Sequence, residues 1–238
     1  MTKEMNRREF IKASAATGAI LMSGNPSLTF AQELKPIQLL APQLDGGRPL
    51  MQVLRDRKSS RLYSTEKIPL QVLSNLLWAA FGINRPERGL RTAPSGRNRQ
   101  DIDIYVAMSD GVYVYDAKAN LLNPVVAEDV RSLSGRQHPP AGVPAIVVPQ
   151  LDEAPINFIY VSDGQKWNIG ATEEENLRLA FNHTGYISQN VYLYCASEGL
   201  ATIVRAWFDK ATLEKKMKLR PDQKIILVQS VGYPKKTS

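Results

Sequence analysis

The chain is poor in the side chains that build metal centres and disulfide frameworks. Its 238 residues include one cysteine, Cys195, and two histidines. A single thiol excludes an intramolecular disulfide framework and any cysteine-based zinc or iron–sulfur site. Two histidines in distant segments leave too few ligands for an all-protein metal centre. Long hydrophobic runs are also missing, since the apolar stretch 13–22 falls short of the roughly 20 residues that a membrane span needs. Charge of one sign is only mildly in excess, at 30 Lys and Arg against 23 Asp and Glu. That excess is scattered, which argues against a nucleic-acid-binding stripe. Chemistry must therefore come from a bound organic cofactor, or from Ser, Tyr, Lys, Arg and carboxylates.

What is present describes a globular protein, 43% hydrophobic and 22% charged. The length suits one full domain or two small ones and allows a substantial core. The N-terminus reads as an address. A basic stretch, Asn6-Arg7-Arg8-Glu9-Phe10-Ile11-Lys12, precedes the short apolar run, and Thr29-Phe30-Ala31 offers a small-residue cleavage site. The paired arginines followed by Phe-Ile-Lys resemble a twin-arginine signal, which a receptor reads and which directs folded proteins out of the cytoplasm. Residues 1–31 are therefore expected to be removed, leaving a mature charge of +5. A periplasmic or otherwise exported location follows from that resemblance.

In the mature chain, residues 32–47 read as an extended arm leading into a domain spanning 48–238. Pro49 suits a first helical position, with Leu50, Val53 and Leu54 at helical spacing. A second helix starts near Pro69 and carries Leu70, Leu73, Leu76, Leu77 and Ala80 to a stop at Gly82. Residues 84–101 read as a loop. Ile102 to Ala107 alternates with period two, turns at Ser109-Asp110-Gly111 and returns through Val112 to Asp116, a hairpin. Pro124 is expected to open a short helix ending at Gly135, and 136–155 is Pro-rich without a clear pattern. Ile156 to Val161 reads as a strand. Thr172 with Glu175 forms a capping box for a long helix to about Ser197, stopped by Gly199. Lys224 to Val231 reads as a final strand. Interspersed helices and strands without strict βαβ alternation indicate an α+β fold.

Four segments have the makings of one site. Arg57-Lys58-Ser59-Ser60-Arg61 gathers three cations and two hydroxyls, which suits phosphate or another compact anion, although a basic run taken alone is usually a solvated face. Pro94-Ser95-Gly96-Arg97-Asn98-Arg99-Gln100 is a polar loop whose amides offer donor and acceptor together, as the edge of a heteroaromatic ring requires. On the long helix, Tyr186, Gln189 and Asn190 share a face, suggesting a subunit contact or a hydrogen-bond network. His183 there reads as a structural histidine, and Cys195 as an inert core residue. The fourth segment is Val231-Gly232-Tyr233-Pro234-Lys235-Lys236.

Taken together, these segments resemble the nitroreductase family of FMN-dependent flavoproteins, including its branch related to azoline-forming dehydrogenases. The likeness rests on the basic-basic-Ser-x-basic stretch at 57–61 with Tyr63 beyond it, and on Pro94-Ser95-x-x-Asn98-x-Gln100. It also rests on the Gly199-Leu200 step and on Gly-Tyr-Pro at 232–234. The resemblance implies a central, mostly antiparallel sheet flanked by helices, completed as a homodimer with FMN at the subunit interface. It implies that Arg57, Lys58, Ser59 and Arg61 hold the ribityl phosphate and the pyrimidine edge. Asn98 would bond the ring, with Pro94 and Ser95 beside it and Gln100 in support. In the stretch Val204 to Asp209, the backbone of Ala206 and Trp207 would face flavin N5, although the family often has Gly where Trp207 stands. Lys235 or Lys236 would reach the phosphate. The family's common Pro-Trp after Asn-x-Gln is replaced by Asp101-Ile102.

The expected activity is hydride transfer through the flavin, from NAD(P)H or another donor to a nitroaromatic, quinone or similar small-molecule acceptor. A flavin-dependent dehydrogenase or oxidase with reversed electron flow, and a non-catalytic flavin-binding protein, are the alternatives. No metal is expected to take part. Replacing Arg7→Lys together with Arg8→Lys is expected to block export without affecting folding; unchanged secretion of that variant would contradict the twin-arginine address.

Overall fold

The computed structural model describes residues 33–135, 154–167 and 172–236. The N-terminal address, most of the Pro-rich stretch 136–155 and the last two residues lie outside the described residues.

A sheet of seven strands forms the centre, with every neighbouring pair antiparallel. In chain order the strands are β1 (Ile37–Gln38), β4 (Ile102–Met108), β5 (Gly111–Asp116), β6 (Leu121–Val126), β7 (Ile156–Asp163), β8 (Ala201–Arg205) and β9 (Gln223–Gly232). Their spatial order is β1-β6-β5-β4-β7-β9-β8. A separate two-stranded ribbon joins β2 (Ile83–Arg85) to β3 (Leu90–Arg91). Five helices complete the described chain: α1 (Leu50–Asp56), α2 (Leu70–Phe81), α3 (Arg131–Gly135), α4 (Glu173–Glu198) and α5 (Lys210–Lys216).

The period-two pattern of β4 and β7 distributes side chains to two faces. Ile104, Val106, Phe158 and Tyr160 enter one core with Leu73, Leu76, Leu77 and Ala80 of α2 and with Ala180, Ile187, Val191 and Cys195 of α4. Tyr105, Ala107, Ile159 and Val161 enter a second core with Leu213 of α5, Met217 and Phe208. The sheet is thus covered on both faces, and every residue of β7 is buried. Each fully buried large apolar side chain contributes about 1.5–3 kcal/mol relative to exposure. This is the α+β architecture expected from the sequence.

Helix α4 is set by its ends. Thr172 N donates to Glu175 Oε2 (2.8 Å), and Glu175 N donates to Thr172 Oγ1 (3.2 Å), the reciprocal pair of a capping box. At the other end Gly199 takes a left-handed φ of 71°, and Leu200 N donates to Cys195 O (2.8 Å). Gly82 ends α2 differently. Its backbone is extended rather than left-handed, and a Cβ there would lie 2.4 Å from the Trp78 ring, so close packing requires the glycine.

Two sequence expectations are corrected. Pro124 does not open a helix but lies in β6 opposite Tyr113; helix α3 is confined to Arg131–Gly135. The missing N–H is tolerated because β1 pairs only with Leu121 and Leu122, and because the β5–β6 register is irregular at Val112 and Tyr113. Residues 84–101 are not a featureless loop, for they hold the β2–β3 ribbon, closed by Gly89 at φ 61°, and a turn at Gly96–Asn98. Strand β8 and helix α5 had no counterpart in the sequence pattern.

The extended arm packs into the same compact unit, which begins at Glu33. Leu39 N donates to Asn120 O (3.0 Å), Leu40 N to Ser74 Oγ (2.9 Å), and Gln43 N to Asn75 Oδ1 (2.9 Å). Arg48 N donates to Ser197 Oγ (2.9 Å), tying the end of the arm to α4.

Candidate functional site

Strand β8 is an edge strand, and an edge presents unpaired backbone groups. Here the basic segment covers them. Ser60 N donates to Thr202 O (2.9 Å). The Tyr192 hydroxyl, from α4, accepts from Val204 N (3.0 Å) and shares a hydrogen bond with Ser59 Oγ (3.0 Å). The Arg57 guanidinium lies 5.4 Å from the Tyr192 ring centroid. Beyond the segment, Ser64 N donates to Tyr233 O (2.9 Å) and Lys235 N to Leu62 O (3.3 Å). The structure therefore brings together Arg57, Lys58, Ser59, Arg61, the end of β8 leading to Ala206 and Trp207, and Lys235. Lys58, Ser60, Tyr192, Thr202 and Pro234 line a cavity of about 240 Å3 beneath the segment.

The charge balance of this cluster is one-sided. Among the described residues, no ion pair is formed by Arg57, Lys58 or Arg61. The neighbouring acid, Asp56, is taken by Arg48 and by Arg55 at 3.0 Å, and those two contacts hold its pKa below the usual carboxylate range. Three cations and a hydroxyl at a strand edge suit a phosphate monoester.

The Pro94–Gln100 turn has a different character. Arg97, Asn98 and Gln100 take left-handed φ values of 55°, 53° and 50°. Each such non-glycine residue costs about 1–3 kcal/mol, so the surroundings must hold the turn. Ser95 Oγ accepts from Gln100 N (3.0 Å), and Gln100 Oε1 accepts from Arg91 Nε (2.7 Å). Gln100 Nε2 donates to Gly89 O (2.8 Å) and to Asn98 Oδ1 (2.9 Å). Gln100 is thereby committed to the protein, whereas Asn98 is exposed and engaged here through its Oδ1. Arg91 also donates to Phe81 O (3.0 Å), and burial lowers its pKa. Pro94 is exposed at the head of the turn.

Both segments dock on α4, but on opposite sides. The turn meets α4 at His183, whose Nε2 accepts from Gly96 N (2.8 Å), and the basic segment meets it at Tyr192. Nine residues separate 183 from 192, which on an α-helix is about 180° of rotation and about 14 Å of rise. Within one chain the phosphate-type cluster and the amide turn do not converge.

Sequence reasoning passed over Tyr192, because an aromatic among Leu193, Tyr194 and Val191 reads as core. Of the helix residues that were singled out, Tyr186 and Gln189 are exposed, while Asn190 turns toward α2 and its Nδ2 donates to Ala80 O (3.4 Å). His183 is buried and partnered on both nitrogens. Cys195 is fully buried, and burial pushes its thiol pKa up, away from reactivity.

Residues 54–233 match the sequence profile of the nitroreductase family. The chain belongs to that family. A candidate nitroreductase of Methanocaldococcus jannaschii, MJ1384, is 30% identical over 172 residues, 69% of this chain and 82% of that protein. The crystal structure of a candidate nitroreductase from Ralstonia eutropha JMP134 superposes with a TM-score of 0.75 at 34% identity, over 86% of this chain and 91% of that one. A chain of the E. coli microcin synthetase McbBCD complex shares the fold at 17% identity and a TM-score of 0.62, over 99% of this chain and 85% of that chain. Nitroreductase-family members are oxidoreductases that typically bind FMN and are usually dimeric. Among the described residues of this nitroreductase-family chain, no helix is long and apolar enough to cross a membrane.

Removing the Tyr192 hydroxyl tests how the phosphate-type half of the site is held. Tyr192→Phe leaves Val204 N–H without its partner and is expected to cost about 1–2 kcal/mol. Faster amide exchange at Val204 and Ser60 should accompany the loss. Unchanged stability together with unchanged exchange at both amides would show that the bridge does not hold the segment.

Proposed function

We propose that the protein is an FMN-dependent oxidoreductase that acts as a homodimer. Each flavin would be held by the basic segment and β8 end of one protomer and by the 94–100 turn of its partner. The observation that carries this reading is the cluster of Arg57, Lys58 and Arg61 at the edge of β8, without an ion pair among the described residues. The donor set fits the cofactor. Arg57, Lys58, Ser59 and Arg61 would bind the phosphate and pyrimidine edge, and Lys235 adds a cation on the adjoining strand segment. Asn98 would orient the ring through its amide. The backbone of Ala206 and Trp207 would border the reactive edge.

When bound, FMN would supply hydride chemistry between a donor such as NAD(P)H and a nitroaromatic, quinone or similar conjugated acceptor. The protein supplies position and field: its cations neutralise the phosphate and favour negative charge on the ring.

The opposite placement of the two segments on α4 supports a second copy as the source of the missing half. Exposed apolar side chains support it too. Leu50 and Met51 on α1 are 61% and 75% exposed, and Phe181 and Tyr186 on α4 are 48% and 50% exposed. Surface of this kind marks an association face. In the same reading, residues 1–31 would direct export of the folded, loaded protein, with NAD(P)H or another donor as the reductant.

Purified protein should be yellow, and its absorbance band should bleach on anaerobic mixing with a competent donor. The double variant Arg57→Ala, Arg61→Ala should be isolated colourless, with FMN affinity reduced at least about a hundredfold, the loss of two charge-assisted contacts of about 1.5–3 kcal/mol each. Full flavin occupancy in that variant would remove the basis of the reading. Bleaching by no donor would contradict catalysis.

A further inference from the structure

His183 stands at the contact between the strained turn and α4. It is 3% exposed, and its Nε2 lies 2.8 Å from Gly96 N. A backbone N–H can only donate, so Nε2 is an acceptor and the ring proton resides on Nδ1. There it faces Asp101 Oδ1 at 2.6 Å, a carboxylate with no exposed surface. Asp101 Oδ2 is buried without a hydrogen-bond partner, so the carboxylate has this imidazole as its side-chain partner among the described residues. Asp101 thus fixes the tautomer that lets the ring accept from the turn. Asp101 also stands at the position where this chain departs from the family's Pro-Trp.

We propose that His183, oriented by Asp101, is a positioning residue for the flavin site: its neutral ring holds the Gly96–Asn98 turn, and with it Asn98, in the binding geometry. The proposal rests on the reading that this turn contacts flavin.

The surrounding charges are few. The head of β4 brings Asp101, and the turn brings Arg97, which is exposed, and Arg99, whose Nη1 donates to Asn176 Oδ1 (2.7 Å). Helix α2 carries no ionisable residue. Strand β7 brings Tyr160, whose hydroxyl donates to Gln229 Oε1 (2.5 Å) of β9 near Ser188, and Asp163, whose backbone N donates to Asp101 O (2.8 Å) and whose carboxylate is paired with Arg220. On α4 itself Tyr186 is the ionisable neighbour one turn away and is exposed. Asp56 of α1 and its partner Arg48 lie at the far end of the helix, where Arg48 Nη1 donates to Ala196 O (3.3 Å). Arg205 of β8 is held by Ser134 O and Asn157 Oδ1.

The test compares full-length protein with His183→Gln and His183→Leu at one near-neutral pH. Amide-exchange protection at Gly96 is read without flavin, and FMN affinity is read in parallel. His183→Gln, whose amide oxygen can accept from Gly96 N–H, should keep Gly96 protection and FMN affinity within about threefold of the native protein. His183→Leu, which offers no acceptor, should lose Gly96 protection at least about tenfold, with FMN affinity falling in parallel. Native Gly96 protection in a folded Leu variant, or Gly96 protection in the Gln variant reduced at least about tenfold, would overturn the proposal, and the Gln variant decides alone if the Leu variant fails to fold. Failure of FMN to bind any of the three proteins would overturn the functional reading, while Gly96 exchange still decides whether His183 holds the turn.

Discussion

A helix advances about 100° per residue, and helix α4 can present a given face in only one direction. Its rotation is fixed because Ala180, Ile187, Val191 and Cys195 are buried in the core shared with α2 and the sheet, and its ends are fixed by the Thr172–Glu175 box and the Gly199 cap. His183 and Tyr192 consequently face opposite sides, and the two polar segments that dock on them are kept apart. No side-chain rotamer overcomes a half-turn and about 14 Å. In the proposed reading, the amide turn of one chain and the cation cluster of another serve one ligand.

Each half-site carries a local cost that its surroundings offset. The basic segment seals the edge of β8 with one backbone bond and one tyrosine bridge, leaving three cations without carboxylate partners among the described residues. The turn stores left-handed strain at Arg97, Asn98 and Gln100, compensated by the Arg91–Gln100–Asn98 chain of hydrogen bonds and by His183. Cations without carboxylate partners, and backbone strain held in place by its surroundings, are expected where a ligand completes the structure.

The parts of the fold legible in the sequence are those with a local signature. The β4–β5 hairpin, α2 and α4 announce themselves through alternation, helical spacing and caps, and the structure reproduces them. Strand β6 was hidden by Pro124, whose local preference is overridden by a strand that is only partly paired on its outer side. The β2–β3 ribbon was hidden because its strands are only three and two residues long and mix Ile83 and Leu90 with Asn84, Arg85 and Arg91, too short for an apolar pattern. The site residues were legible as residue types in a familiar order, yet their division between two faces of α4 was not. That division depends on which side chain each segment meets, and Gly96 meets His183 across 87 positions of sequence. Tyr192 gave no signal, since its polar function resides in one hydroxyl on an apolar stretch.

The central claim, that each flavin draws on two chains, is tested most directly by subunit complementation. Arg57→Ala, Arg61→Ala chains and Asn98→Ala chains, differently tagged, are co-expressed, and the mixed species is isolated for flavin content. The account predicts that the mixed dimer regains one intact site with native affinity, because the intact cluster of one chain meets the intact turn of the other. If both halves of each site came from the same chain, every site in the mixture would carry a defect. A mixed dimer that binds FMN no better than either parent variant would contradict the account.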